Sequence, residues 1–178
     1  MKRLPNGMTL LELLIVLSIT TILLVAGIPG LHDYLQNKKI SSSASTLFSD
    51  LRLARNEAVR RNIWTIACPG TAVDGCFQNS KWHQGWIVFA DVNGDRNLQA
   101  EEPLLRNTNA LDNISALSSA SRMQVRFFPG GTAPGSNTSI VFCDHRGHHN
   151  GQKIVISNSG RIRQSGLGNS DESRCPPL

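Results

Sequence analysis

Apolar residues follow two successive patterns in the first third of this 178-residue chain. Over residues 8–31 they form a nearly unbroken run, and a helix of about 20 apolar residues is long enough to cross a bilayer. Over residues 44–62 they recur every three or four positions, which is the spacing of one helix face. The patterns therefore predict a transmembrane helix over 8–31 and an amphipathic helix over 32–62.

Beyond residue 62 the apolar pattern changes to short runs rich in Ile, Val, Phe and Trp, separated by turn residues. Six strands are predicted, at residues 63–68, 85–91, 122–128, 138–143, 152–158 and 160–164. Short strands joined by turns favour antiparallel pairing, and an amphipathic helix buries its apolar face against such a sheet. We therefore expect an α+β protein in which residues 63–178 form an antiparallel β-domain packed on the second half of the helix.

One residue inside the apolar run, Glu12, distinguishes it from an ordinary membrane anchor. Glu12 places a carboxylate where a charge is costly and usually indicates a function with a partner. Lys2 and Arg3 precede the run and favour a cytoplasmic N-terminus. Pro29 lies near the end of the run, and a helix is expected to resume after it. A cleavable signal peptide is a poorer explanation, because its apolar core spans only about 7–15 residues.

Charge is distributed unevenly along the chain, whose net charge is +5. Residues 121–178 contain seven Lys/Arg and three Asp/Glu, whereas residues 8–120 contain nine and ten. A basic C-terminal third suggests contact with a polyanion, either nucleic acid or lipid headgroups, and a mildly basic solvated surface is the alternative. The arginines of the amphipathic helix lie off its apolar stripe and are interpreted as solvated charges; they are Arg52, Arg55, Arg60 and Arg61.

The four cysteines are Cys68, Cys76, Cys143 and Cys175. An even number in a small exported domain favours two disulfides and an oxidising compartment. Of the three possible pairings we expect Cys68–Cys76, which bracket a short Gly-containing turn, with Cys143–Cys175, which would tie the C-terminal tail to a strand. A zinc site is less consistent with the sequence, because no Cys-x-x-Cys is present.

The N-terminal sequence Met-Lys-Arg-Leu-Pro-Asn-Gly, followed by Met-Thr-Leu-Leu-Glu, resembles the class III leader of type IV prepilins. The resemblance implies that residues 1–7 are a leader, that prepilin peptidase cleaves after Gly7 and that the new terminus, Met8, is N-methylated. It also implies that Glu12 pairs with the terminal amine of a neighbouring subunit during assembly. Pro29 would loosen the helix.

Further motifs are similar to the FimT/FimU/GspH minor pilins and pseudopilins. They are Ala54-Arg55-Asn56-Glu57-Ala58, Cys68-Pro69, Trp82-x-x-Gly85-Trp86-Ile87-Val88-Phe89-x-Asp91, Cys143-Asp144-x-Arg146-Gly147 and Gly160-Arg161-Ile162-Arg163. The resemblance implies a type IV pilin fold, with a long N-terminal helix packed on an antiparallel β-sheet domain. It implies a bacterial inner-membrane protein with a periplasmic domain, which joins a pilus or pilus tip and contacts major and minor pilins.

The last of these motifs makes the chain most similar to FimT, whose Gly-Arg-x-Arg motif is implicated in binding DNA during natural transformation. Gly160 ends a predicted tight turn, after which alternate side chains of a strand share a face. We expect Arg161 and Arg163 about 6.6 Å apart on an exposed face, each able to make a bidentate phosphate contact, with Lys153 extending the patch. The expected partner is double-stranded DNA, bound without sequence preference.

Two alternatives to DNA binding remain open. The arginines can protect an exposed sheet edge against aggregation. The chain is then a structural or priming minor pilin similar to FimU, or a type II secretion pseudopilin similar to GspH.

Residues 91–102 carry oxygen-bearing side chains at the spacing of a calcium loop: Asp91, Asn93, Asp95, Asn97 and Glu102. However, Arg96 occupies the position at which calcium loops need glycine, and an Asn-Gly hairpin turn explains the same residues without metal. No cofactor is expected. The sequence contains no P-loop, nucleophile elbow or coherent carboxylate pair, so an enzyme is not predicted.

Overall fold

A computed structural model describes residues 8–175, except for the side chains of residues 26–29. The chain divides into two compact units, residues 1–38 and 39–178. One helix, α1 (Leu10–Arg61), contributes to both units. The strands are β1 (Trp64–Thr71), β2 (Gly75–Cys76), β3 (Trp86–Asp91), β4 (Leu104–Thr108), β5 (Ser115–Leu117), β6 (Val125–Phe127), β7 (Thr138–Asp144), β8 (Gly147–Ile156) and β9 (Ile162–Gly166). Two short 3-10 helices span Trp82–Gln84 and Asn169–Arg174.

The first unit is the apolar part of α1, and its side chains over residues 8–25 are all exposed. By length and composition this helix is able to cross a membrane. Its hydroxyl groups bond to carbonyls of the preceding turn, as Ser18 does to Ile15 at 2.8 Å and Thr20 to Val16 at 2.7 Å. This bonding satisfies the polar groups inside the helix itself, which an apolar environment requires.

Pro29 does not interrupt α1, which is continuous from Leu10 to Arg61. The local loosening that the resemblance implies at this position stays a prediction. A proline removes one backbone donor and so weakens the hydrogen-bond ladder locally, but the remaining bonds of the flanking turns keep the helix continuous.

The second unit contains two antiparallel sheets instead of the single sheet that the sequence predicted. The first has the order β2-β1-β3-β4, with β6 also paired to β1, and the second has the order β5-β7-β8-β9. The six predicted strands correspond to β1, β3, β6, β7, β8 and β9. The missed strands are short, with two, five and three residues, so each offers too little alternation to be recognised.

One hydrophobic core joins α1 to both sheets. The buried face of the helix carries residues at helical spacing: Ile40, Ala44, Leu47, Leu51, Ala54 and Ala58. Trp86 and Phe127 of the first sheet and Phe142 and Ile154 of the second belong to the same buried cluster. The small alanines let the helix backbone approach the sheets, and the apolar stripe is the one that the sequence pattern predicted.

A buried carboxylate also links the helix to the first sheet. Asp50 is only 5% exposed, and its Oδ2 accepts hydrogen bonds from Trp86 Nε1 at 2.9 Å and Thr108 Oγ1 at 3.3 Å. Arg106 Nε lies 3.5 Å from Oδ1. These partners compensate the cost of burying the charge, so Asp50 sets the position of α1 against β3 and β4.

Two disulfides hold the ends of the β-domain. Cys68–Cys76 joins β1 to β2, and Cys143–Cys175 joins β7 to the residue that follows the second 3-10 helix. The second bridge therefore keeps Asn169–Arg174 beside the second sheet.

Candidate nucleic-acid interface

The Gly-Arg-x-Arg motif lies at the turn of the β8–β9 hairpin. The amide of Ser157 donates to Arg161 O at 3.1 Å and the amide of Gly160 donates to Ser157 O at 2.8 Å. Gly160 has φ 76°, which is typical of the glycine that ends a three-residue hairpin loop. β9 begins at Ile162, two residues later than predicted, because Gly160 and Arg161 belong to the closing of the turn.

The strand register shows which way Arg163 points. Arg163 is opposite Val155, whereas Ile162 is opposite Ile156, which is buried in the core. Since successive side chains of a strand alternate between faces, Arg163 lies on the outer face of the sheet. Lys153, two residues before Val155, lies on that face too.

Arg161 and Arg163 are both exposed. Within residues 8–175, neither guanidinium group has a hydrogen bond or an ion pair. Other basic side chains of this sheet differ, since Arg146 pairs with Asp144 at 2.7 Å and Lys153 pairs with Asp171 at 2.6 Å. The two motif arginines therefore keep their full donor capacity for an external anion.

Gly160 is buried, and the structure gives it a packing role. A Cβ atom there would overlap the carbonyl oxygen of Gly131, in the loop that precedes β7. The same oxygen accepts a hydrogen bond from Arg55 Nε at 2.8 Å. The turn also bonds to this loop through Asn158, whose carbonyl accepts from the amide of Ala133 at 2.8 Å.

The interpretation of Arg55 as a solvated helix charge was therefore wrong. Its side chain is partly buried and bonded to a carbonyl 76 residues away. The other three helix arginines are exposed, and two of them, Arg60 and Arg61, pair with Glu57 at 2.6 Å each. Periodicity placed Arg55 correctly off the apolar stripe, but it carried no information about a loop that returns to the helix.

Lys153 is the member of the expected patch whose charge is balanced within the chain. Its partner Asp171 is 1% exposed and also accepts hydrogen bonds from the amide of Gly168, at 3.1 Å, and from Arg174 Nη2. Burial by itself would raise the pKa of Asp171, but the bonds from Lys153, Gly168 and Arg174 together outweigh burial and hold the pKa below its usual value. The carboxylate is thus ionised at neutral pH.

Arg174 is a basic residue of this face that sequence reasoning missed. Together with Lys153, Arg163 and Asp171 it lines an open cleft of about 470 Å³. Arg174 reaches the cleft because the next residue, Cys175, is bonded to Cys143 of β7. The expected disulfide was a usable signal, since it already brought residue 174 close to the second sheet.

The residues of the calcium pattern use their oxygens to close their own loop. Asp91 Oδ1 accepts from the amide of Gly94 at 2.8 Å, and the two oxygens of Glu102 accept from the amides of Val92 and Gln99 at 2.8 and 3.2 Å. Asn93 and Asp95 cap the amides of Asp95 and Asn97 in the same way. Among residues 8–175, no group of three His, Cys, Asp or Glu side chains is arranged to hold a metal.

In comparisons with known proteins, two family models together match most of the chain. Residues 43–160 match the model described as type II transport protein GspH, and residues 2–28 match the prokaryotic N-terminal methylation motif. The pilin-like protein PilA1 of Thermus thermophilus is 28% identical over 164 residues, which cover 89% of this chain and 97% of PilA1.

Two kinds of solved structure share the fold. The type IV minor pilin FimU of Pseudomonas aeruginosa has a TM-score of 0.58 and 21% identity, over 80% of this chain and 96% of the FimU chain. The minor pseudopilin EpsH of the Vibrio cholerae type 2 secretion system has a TM-score of 0.54 and 10% identity, over 74% of this chain and 99% of the EpsH chain. The predicted α+β fold, a long N-terminal helix on antiparallel sheets, is confirmed.

Proposed function

The chain belongs to the GspH family of pilin-like proteins, and from that premise we propose that it is a minor type IV pilin that binds double-stranded DNA during natural transformation. Minor pilins and pseudopilins of type IV pili and type II secretion systems are structural components. DNA binding adds a ligand to that role. Phosphate contacts from Arg161 and Arg163 would carry it, independently of sequence and with strong dependence on salt.

The observation that carries this proposal is the exposure of two guanidinium groups that have no partner within residues 8–175. An arginine that already bonds to a carboxylate has fewer donors left for phosphate, whereas an unpaired one offers all five and loses only bound water and counterions. Lys153 remains in the proposed site, but its pairing with Asp171 makes its contribution smaller than that of either arginine. Gly160 supports the site by shaping the turn.

Titration of the full chain in detergent with a short DNA duplex at two salt concentrations tests the proposal. Arg161→Ala and Arg163→Ala should each weaken binding to all sequences alike and reduce the log–log salt slope by about one. Arg→Lys should restore only part of the affinity, because lysine cannot make a bidentate contact.

Arg96→Asn is the matched control. Arg96 is exposed in the β3–β4 loop, and its φ of 70° suits asparagine, so the variant removes one charge without straining the backbone. It should bind DNA nearly as the original chain does. Unchanged binding by the Arg161/Arg163 double variant would place the site elsewhere on the molecule.

The family match also supports a second candidate, a type II secretion pseudopilin or purely structural minor pilin, because the matching model is described as a type II transport protein. In that case the outer face of the second sheet would contact neighbouring subunits. Failure of the original chain to bind DNA even at low salt would favour this function.

The methylation motif supports the N-terminal processing that is part of the proposal. Prepilin peptidase would cleave after Gly7, which lies outside the described residues, and Met8 would become the methylated terminus. Before assembly the apolar part of α1 would reside in the inner membrane. During assembly Glu12, an exposed carboxylate of that helix, would pair with the terminal amine of a neighbouring major or minor pilin.

A further inference from the structure

The cleft beside Arg163 has two walls of different origin. One is the outer face of the β8–β9 hairpin, where Arg163 lies diagonally across from Lys153. Diagonal neighbours on one face of an antiparallel pair are about 7–8 Å apart, within reach of one another for long side chains. The other wall is the C-terminal 3-10 helix Asn169–Arg174, which contributes Asp171 and Arg174.

The C-terminal wall is held firmly to the sheet. Arg174 Nη1 donates to Ser139 of β7, to the carbonyl oxygen at 3.1 Å and to the hydroxyl at 2.8 Å. Asp171 Oδ2 accepts a hydrogen bond from Lys153 Nζ of β8 at 2.6 Å, and Cys175 forms a disulfide with Cys143. Arg174 is therefore fixed in the cleft before any ligand arrives, which lowers the entropy lost on binding.

The charges that line the cleft do not cancel. Three basic side chains line the cleft, Lys153, Arg163 and Arg174, and Asp171 is the one acidic side chain of that lining. The lining therefore carries an excess of two positive charges. Asp171 repels an incoming anion, but it uses one donor of Lys153, whose ammonium group has three. Arg163 has all its donors available within the described part of the chain. Asp171 thus positions two cations, Lys153 and Arg174, and the cleft keeps its excess of positive charge.

We infer that this cleft is a phosphate-binding site in which Arg174 acts with Arg163 and Lys153. The phosphate group of a DNA backbone is the source that fits the neighbouring Arg161, and this DNA source rests on the proposed function. The duplex would contact Arg161 at the turn and place a phosphate of the same backbone in the cleft.

Inorganic phosphate is the first probe, added to the full chain in detergent at constant ionic strength with chloride as the reference anion. Amide resonances of Thr138, Lys153 and Ser170 should shift and saturate with phosphate but not with chloride. Arg174→Gln and Arg163→Gln should each lower the affinity for phosphate about tenfold, which is the loss typical of one charge-assisted hydrogen bond. Shifts that are absent, or scattered over the surface without saturation, would overturn the site.

The C-terminal wall is tested by comparing the two disulfides. Replacing Cys143 and Cys175 by serine should abolish the phosphate shifts, because Arg174 is no longer held beside Arg163. The same replacement at Cys68 and Cys76 makes an identical chemical change in the other sheet and should leave the shifts intact. Arg163→Gln keeps both bridges, so it still tests the cleft if the first variant unfolds.

A DNA duplex is the second probe, and it separates the two proposals. If Arg174→Gln weakens DNA binding and reduces the salt slope by about one, the cleft holds a DNA phosphate. If only the Arg161 and Arg163 variants lose affinity for DNA, the DNA-binding function stands and the inference about the cleft is wrong. If the cleft binds inorganic phosphate but the chain does not bind DNA, the DNA function fails and the ligand is a free or lipid phosphate.

Discussion

Gly160 connects the sequence of the Gly-Arg-x-Arg motif to the packing of the domain. Its φ of 76° and its contact with the Gly131 carbonyl both exclude a side chain. Gly160→Ala should lower the free energy of unfolding by about 1–3 kcal/mol from the backbone conformation alone, and displacement of the turn would add to this. Denaturant unfolding measures the change.

Gly166→Ala in the same strand is the control. A Cβ atom at Gly166 meets no other atom within 4 Å, so stability should change little. Equal stability of the two variants would show that the turn does not depend on glycine at position 160.

Asp171 makes the C-terminal wall of the cleft sensitive to acid. Its pKa in the folded chain is lowered, so its pairing with Lys153 contributes stability above the ordinary aspartate pKa of about 3.9 and loses it as the pH falls through the lowered value. The wall should stay docked at neutral pH and loosen only below about pH 4. The amide resonance of Gly168, which donates to Asp171, reports this transition.

Asp171→Asn should remove the acid transition of that resonance, because the amide side chain does not titrate. A transition near pH 6 in the original chain would instead point to a histidine.

At the scale of elements, Arg55 links α1 to the loop that supports the β8–β9 turn. Arg55→Ala removes the bond to the Gly131 carbonyl and should lower the free energy of unfolding by about 1 kcal/mol. Arg52→Ala on the same helix is the comparison, since Arg52 is exposed and contacts the ring of Phe48. If the two variants unfold alike in denaturant, the Arg55 bond does not hold the loop.

The two disulfides should differ in how much they stabilise the domain. Cys143–Cys175 spans 32 residues and Cys68–Cys76 spans 8, and closing the longer loop removes more entropy from the unfolded chain. Loss of the longer bridge should cost about 2–5 kcal/mol, roughly 1 kcal/mol more than loss of the shorter one. Unfolding of the two double-serine variants measures this difference, and peptide mapping without reduction verifies the pairs.

At the scale of the whole molecule, the N-terminal segment should exist in two covalent forms. The methylation motif over residues 2–28 supports removal of residues 1–7 and one added methyl group on Met8. Mass spectrometry of protein from native membranes measures both changes. An intact Met1, or cleavage near Ala26, would contradict a prepilin and indicate an ordinary anchor or signal peptide.

The sequence by itself determined the features that depend on near neighbours. The apolar run predicted the membrane-like part of α1, and three-four periodicity predicted its buried stripe, because a helix repeats every 3.6 residues. The Asn-Ser-Gly triplet likewise predicted the turn that presents Arg161 and Arg163, since glycine readily adopts the positive φ that such a turn requires. These three features need no information from distant residues.

Only the tertiary structure decided how distant segments meet. It divides the β-domain into two sheets. It also brings together Arg55 and Gly131, which are 76 residues apart, and Lys153 and Asp171, which are 18 residues apart. Such contacts follow from the packing of the whole core, which no local pattern encodes. Arg174 lies beside Arg163 because of contacts of the same kind. The Cys143–Cys175 disulfide and the buried carboxylate of Asp171 hold the end of the chain against the second sheet.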